Sequence, residues 1–301
     1  MTHILSKYNE SIHFFTEPFP HILIENCLDD NYYSKLSENF PDNDKFMPKN
    51  KEENQAYWLT GSDLASHASV WDDFIKSHNS EEFFSKAVTI IQPFMEFLDP
   101  NYVSNLGKDL KDCSFTIAES GRGSNPLNKR THIVISIAAG INTPCRFKST
   151  VEPPHNDYPQ KLFNSLLYMR DDDDDSTGGD LTLYQTKDKF IFTSKSEGLN
   201  WIDQKYIKEI KTIKYKKNVL VLFPQRINAI HGVTARGPTI HTRKYININM
   251  ESYVLKRNGF FVTPRSTYAK IKFKIAKLLP VSFKKIIKIN INFLNKKLPT
   301  R

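Results

Sequence analysis

The sequence predicts a mainly β domain with flanking helices, and three observations carry that prediction. From about residue 111 onward, short apolar runs alternate with polar turns, near 112–118, 132–138, 162–169, 180–184, 218–223 and 243–250. Many short strands separated by turns point to a β-sandwich or barrel. Ahead of them the apolar spacing is helical. The 301 residues are 39% hydrophobic and 12% aromatic, enough to bury a core and too much for a disordered chain.

Taken in order, Phe19-Pro20-His21-Ile22-Leu23-Ile24-Glu25 is an apolar, β-prone run opened by proline and predicts a strand. Asp29 and Asp30 then cap a helix carrying Tyr32, Tyr33, Leu36 and Phe40, which Pro41 stops. Residues 42–66 are polar and read as loop. Trp71 to Leu98 has helical spacing at Phe74, Phe83, Phe84, Val88, Ile91 and Phe94, with Pro93 kinking or ending it. Five aspartates, Asp171–Asp175, followed by Ser-Thr-Gly-Gly, predict a solvated loop over 171–179. Tyr245-Ile246-Asn247-Ile248-Asn249 alternates with period two, as a strand with one buried face does.

The net charge of +9 comes from 42 Lys plus Arg against 33 Asp plus Glu, and it is unevenly placed. Ser252 to Arg301 contains no acidic residue, and Lys256 to Arg301 holds 13 basic ones. Residues 1–255 therefore hold 29 basic and 33 acidic residues, a net of −4. This gives three segments: an N-terminal strand and helices packing on the core (1–110), a β core (111–255) and a basic amphipathic tail (256–301). Past Pro280, Ser282 can cap a helix with Phe283, Ile286, Ile287, Phe293 and Leu294 on one side and Lys284, Lys285 and Lys288 on the other. Such a helix can lie on an anionic bilayer, or its apolar face can pack on the body or on a partner. The tail holds no nucleic-acid-binding module, so no nucleic-acid partner is expected. Cys27, Cys113 and Cys145 are few and lack metal-type spacing, which argues against a disulfide scaffold and for a reducing compartment. With a polar start from Met1 to Phe15 and no apolar run near the ~20 residues of a membrane span, a soluble cytoplasmic protein is expected, with peripheral membrane contact through the tail.

The chemistry-bearing stretch is Pro153-Pro154-His155-Asn156-Asp157. In a strand, residues i and i+2 share a face, so His155 and Asp157 can aim an imidazole and a carboxylate at one point. The same five residues also suit a polar turn. His231 follows an apolar strand and a proline turn, in Phe223-Pro224 through His231-Gly232-Val233, and can serve as a third ligand or as a structural histidine. Two His and one carboxylate leave open positions on Fe(II).

Together these residues resemble the Fe(II)- and 2-oxoglutarate-dependent dioxygenases, in particular the prolyl-4-hydroxylase-like branch. The resemblance spans roughly residues 17–251. It rests on His155-Asn156-Asp157, then Leu166-Leu167-Tyr168-Met169, then Gly178-Gly179-Asp180-Leu181-Thr182-Leu183-Tyr184. Phe223-Pro224 before His231-Gly232-Val233, and Arg243 ahead of the alternating strand, complete it. The resemblance implies a double-stranded β-helix, a jelly-roll and cupin-like core. In it His155, Asp157 and His231 bind Fe(II), and 2-oxoglutarate and O2 are co-substrates. A buried co-substrate carboxylate requires a cationic partner. Arg243 suits this through its planar fork, and Tyr168 falls where the branch places a tyrosine hydroxyl on the same carboxylate, or is a core tyrosine. Strand parity puts Arg243, Tyr245, Asn247 and Asn249 on one face and Lys244 on the other. Arg236, five residues after His231, is expected in a loop.

The activity implied is oxidative decarboxylation of 2-oxoglutarate to succinate and CO2, coupled to hydroxylation of an unactivated C–H bond. The substrate would be an amino acid, a peptidyl residue, or a saccharide or lipid-linked precursor. Related halogenases lack the carboxylate ligand, so Asp157 favours hydroxylation, with desaturation, cyclisation and epimerisation open on the same site. The alternative is a metal-binding cupin-like isomerase or sensor without oxygenase activity, held at a membrane by its tail. Trp58 and Trp71 can line a cleft or pack in the core; His21 is assigned no role, and His132 and His241 are expected to be structural or exposed.

Overall fold

The structure, a computed structural model, describes residues 2–46, 53–98, 101–118, 131–196, 199–257 and 259–261. The basic tail beyond residue 261, with the expected helix after Ser282, lies outside the described residues.

The described strands in chain order are β1 (Phe14–Phe15), β2 (His21–Glu25), β3 (Ala56–Thr60), β4 (Phe115–Ile117), β5 (Ile133–Asn142), β6 (His155–Asn156) and β7 (Lys161–Tyr168). They continue as β8 (Leu181–Thr186), β9 (Phe192–Ser196), β10 (Leu199–Ile202), β11 (Ile207–Ile213), β12 (Val219–Pro224), β13 (Ile230–Val233) and β14 (Arg243–Glu251). They form two sheets. The larger runs β1-β2-β12-β7-β14-β5-β3, with β4 parallel to β5, and the smaller runs β11-β8-β13-β6-β10-β9. Every other pairing is antiparallel.

From β5 to β8 the chain steps from one sheet to the other at each strand, and from β11 to β14 it does so again. That double alternation is the double-stranded β-helix, a jelly roll. Strand parity divides the apolar residues of the larger sheet between two cores. On β12, Val221 and Phe223 face inward with Tyr168, Leu181, Leu183 and Tyr245. Leu220 and Leu222, with Ile246 and Ile248 of β14, face the other way, onto the helices.

The helices are α1 (Glu10–His13), α2 (Asp30–Glu38), α3 (Asn43–Phe46), α4 (Gly61–His67), α5 (Ser69–His78), α6 (Glu81–Leu98) and α7 (Tyr102–Leu106). Trp71, Phe74, Phe83, Phe84 and Ile91 of α5 and α6 bury against the outer face of the larger sheet. The expected helix from Trp71 to Leu98 is therefore two, and Pro93 sits inside α6 without ending it.

Three further expectations change. Residues 42–66, expected as loop, hold α3, β3 and the start of α4. β3 forms because β5 offers it an edge, pairing Ala56 through Thr60 with Asn142 back to Ala138; its own five residues do not alternate. Thr60 then caps α4 in a capping box with Asp63. Asp29 stands at the N-cap of α2 without a side-chain capping bond, its carboxylate lying 3.1 Å from Lys7 instead. The aspartate run is more engaged than a solvated turn. Asp174 is buried, with Oδ1 accepting from the Ser176 N–H at 2.8 Å and Oδ2 facing Arg170 at 3.6 Å. Asp171 and Asp172 pair with Lys244 and Lys217.

Candidate metal centre and co-substrate cleft

His155 on β6 and His231 on β13 are direct cross-strand neighbours in the smaller sheet. Their rings lie 4.3 Å apart, centroid to centroid. Asp157 follows two residues on, where the chain leaves β6 to turn into the larger sheet. One ligand atom from each of the three residues lies within 4.8 Å of the others, and all three side chains are buried.

The backbone fixes which nitrogen each imidazole offers. His155 Nδ1 lies 2.8 Å from the Pro153 carbonyl and His231 Nδ1 lies 3.1 Å from the Ala229 carbonyl. A carbonyl only accepts, so each Nδ1 carries the proton and each Nε2 keeps its lone pair for an ion. Burial, reinforced by neighbouring His155, pushes the His231 pKa down to about 3, so the imidazole is neutral, as a ligand must be. Asp157 Oδ1 faces His155 Nε2 at 3.8 Å.

Arg243 opens into the same cleft, whose walls also include Trp58, Asn142, Leu166, Phe223 and Asn247. Its guanidinium is buried and aimed by two hydrogen bonds, from Nε to the Gly179 carbonyl at 2.8 Å and from Nη1 to Asn142 Oδ1 at 3.1 Å. The rings of Tyr168, Tyr215 and Tyr245 surround it at 5.2, 5.1 and 4.8 Å. Nη2 has no hydrogen-bond partner, and among the described residues no carboxylate lies within ion-pair distance of this guanidinium. The wholly buried Tyr168 hydroxyl also lacks a partner. Burial raises its pKa against the opposing pull of Arg243.

The paired glycines have a physical reason here. Gly178 and Gly179 both adopt φ near +75°, a conformation that glycine reaches without steric cost. A Cβ on Gly178 would lie 2.0 Å from the Ala235 carbonyl oxygen, and one on Gly179 would lie 3.2 Å from Arg243 Cδ. The turn thus brings the Gly179 carbonyl close enough to hold Arg243.

Lys244 points away from the cleft, to Asp171 at 2.7 Å, as parity predicts. Arg236 is fully buried, and its guanidinium donates to the carbonyls of Asn142, Thr143 and His241. Trp58 lines the cleft in a T-shaped contact with Tyr245 at 5.2 Å, whereas Trp71 is core. Sequence reasoning did not single out Lys161 and Asn164, which hold Asp157 from behind, or Gln225, which accepts from Asn164. Lys161 is wholly buried, and its Nζ lies 3.0 Å from Asp157 Oδ2. Nothing local to a lysine at the start of a strand signals this placement.

No family model matches the chain, and no curated protein matches it. Solved structures do. The chain is similar in fold to prolyl 4-hydroxylases and other iron- and α-ketoglutarate-dependent enzymes. A prolyl 4-hydroxylase from Phytophthora capsici aligns at 16% identity and a TM-score of 0.44, over 79% of this chain and 60% of that one. The chain thus spans less than two thirds of that relative. A Pseudomonas putida prolyl-4-hydroxylase aligns at 12% identity and a TM-score of 0.42, over 81% of this chain and 95% of that one. The epimerase SnoN, solved with Fe3+ and α-ketoglutarate, aligns at 8% identity and a TM-score of 0.45, over 80% and 82%. What the cleft can do chemically follows from its own residues.

Proposed function

We propose that this protein is an Fe(II)- and 2-oxoglutarate-dependent oxygenase that hydroxylates an unactivated C–H bond. The observation that carries the proposal is one cleft holding two unlike features. One is a His-Asp-His set with both Nε2 atoms left for an ion. The other is a buried arginine, aimed by Gly179 and Asn142, with an orphaned Nη2 beside an orphaned tyrosine hydroxyl. The first fits a divalent ion of the iron type; the second fits a carboxylate that arrives with a ligand.

In this reading His155, Asp157 and His231 hold the ion, and Arg243 with Tyr168 holds the distal carboxylate of 2-oxoglutarate. When bound, the iron would activate O2, the oxidant, one oxygen atom of which would go to the C–H bond as hydroxyl and the other to 2-oxoglutarate, giving succinate and CO2. The chain's own contribution is orientation and exclusion of water. Gly179 and Asn142 fix the guanidinium, and the rings of Tyr168, Tyr215 and Tyr245 cover it, so its charge acts in a low-dielectric pocket. Trp58 and Tyr245, in T-shaped contact, supply an aromatic wall of the cleft.

The test is succinate formation from 2-oxoglutarate in air, with Fe(II) and ascorbate, over a panel of amino acids, peptides, saccharides and lipid-linked precursors. Substrate-stimulated succinate supports the proposal. A cupin-like isomerase or sensor would bind metal and produce none.

A further inference from the structure

We infer that Lys161 is a positioning residue that, with Asn164, clamps one oxygen of Asp157 and so makes that carboxylate a single-oxygen metal ligand. The inference rests on the metal-site reading above.

The geometry is a closed triangle of buried groups. Lys161 Nζ donates to Asp157 Oδ2 at 3.0 Å and to Asn164 Oδ1 at 2.5 Å. Asn164 Nδ2 donates to the same Asp157 Oδ2, and also to Gln225 Oε1 at 3.1 Å. An ammonium only donates and a carboxylate only accepts, so the orientation of the Asn164 amide is decided by chemistry. Oδ2 thus takes two donors on the side away from the histidines, while Oδ1 faces His155 Nε2.

Lys161 reaches this position through an irregularity in β7. Along β14, Met250 pairs with Phe163 but Glu251 pairs with Lys161, so Leu162 is an extra residue, as in a β-bulge. Strict alternation from the inward-facing Asn164 would send Lys161 outward. The bulge instead leaves both Leu162 and Phe163 in the outer core and turns Lys161 inward. The Lys161 ammonium also lies 5.0 Å from the Tyr158 ring centroid. A buried lysine kept in place by a bulge, two hydrogen bonds and an aromatic face is costly to build for surface charge alone.

The consequence is a coordination count. A carboxylate whose second oxygen is occupied cannot chelate, so an extra position on the ion stays open for co-substrates. Mn(II), bound anaerobically to the full chain as an iron surrogate, reports this through broadening of its paramagnetic resonance lines by 17O-labelled water. A six-coordinate ion held by two imidazoles and one oxygen keeps about three waters. The expected result is about three in the wild type and about two in a folded Lys161→Met, with Mn(II) affinity changed at least about tenfold. Lys161→Gln, which retains one donor, should fall between. Two waters in the wild type overturn the clamp, as does a folded Lys161→Met with three waters and unchanged affinity, and in both cases the metal site itself stands. No Mn(II) or Fe(II) binding by the wild type would remove the metal-site reading and this inference with it.

Discussion

Arg243 and Lys244 are adjacent on β14 and face opposite ways. Arg243 enters the cleft between the sheets, and Lys244 crosses to Asp171 on the helical side, over the Phe40 ring at 5.5 Å. Two adjacent cations are therefore divided between the cleft and an ion pair outside it within a single peptide unit. Arg243→Ala should raise the 2-oxoglutarate concentration needed for half-saturation by roughly 10- to 150-fold, the worth of charge-assisted hydrogen bonds to a buried carboxylate. Lys244→Ala should change it by less than about fivefold, because a partly exposed pair is worth under ~1 kcal/mol. Calorimetric titration of 2-oxoglutarate into the Fe(II)-loaded protein under nitrogen checks both. The reverse order would place the wrong residue in the cleft.

Gly140 on β5 is where the aromatic wall of the cleft leaves no room. A Cβ there would lie 2.5 Å from a Trp58 ring atom and 2.6 Å from a Tyr245 ring atom. Gly140→Ala should cost about 1–3 kcal/mol, as overpacking does, and should displace both rings. Urea unfolding gives the first quantity, and the change in tryptophan emission, to which Trp58 contributes with Trp71 and Trp201, gives the second. A variant as stable as the wild type, with an unaltered emission spectrum, would show that the wall is loosely packed.

Acid should destabilise the metal-free chain through its buried histidines. Burial lowers the pKa of His21 to about 4, and of His78 and His231 to about 3. The unfolded value is about 6.5. Between these limits the unfolded chain binds more protons than the folded one. Stability is therefore fully present above about pH 6.5 and is lost as the pH falls toward 3–4. Each group adds up to about 1.4 kcal/mol per pH unit to the slope. His21 stacks on Phe15 at 5.3 Å, so His21→Phe is the mild substitution. It should remove about one group's share of the slope between pH 6 and 5 in urea titrations. An identical slope in the variant would mean that His21 is protonated in the folded chain.

Much of this fold is legible because β7, β12 and β14 of the larger sheet pack one face on the helices and the other on the opposite sheet. The strands near 162–169, 218–223 and 243–250 lie where alternation and apolar runs place them, as β7, β12 and β14. The short or tertiary-dependent strands are not legible. β6 is two residues long, and β3 exists because β5 offers it an edge. Of the site, strand parity pairs His155 with Asp157 and separates Arg243 from Lys244, the resemblance adds His231 and Arg243 to the set, and all four line one cleft. Lys161 escapes such reasoning because the bulge at Leu162 reverses the face that parity assigns it. Trp58 stays open between cleft and core in the sequence because its strand lies within a polar stretch; the pairing of β3 with β5 puts it in the cleft.

The central claim is that one cleft binds Fe(II) and 2-oxoglutarate together. The direct measurement is a difference absorption spectrum under nitrogen, adding Fe(II) and 2-oxoglutarate to wild type and to His231→Ala. The wild type should show a weak visible metal-to-ligand charge-transfer band that requires both additions, and His231→Ala should show none. A wild-type spectrum without the band, together with calorimetry showing no 2-oxoglutarate binding, would contradict the account.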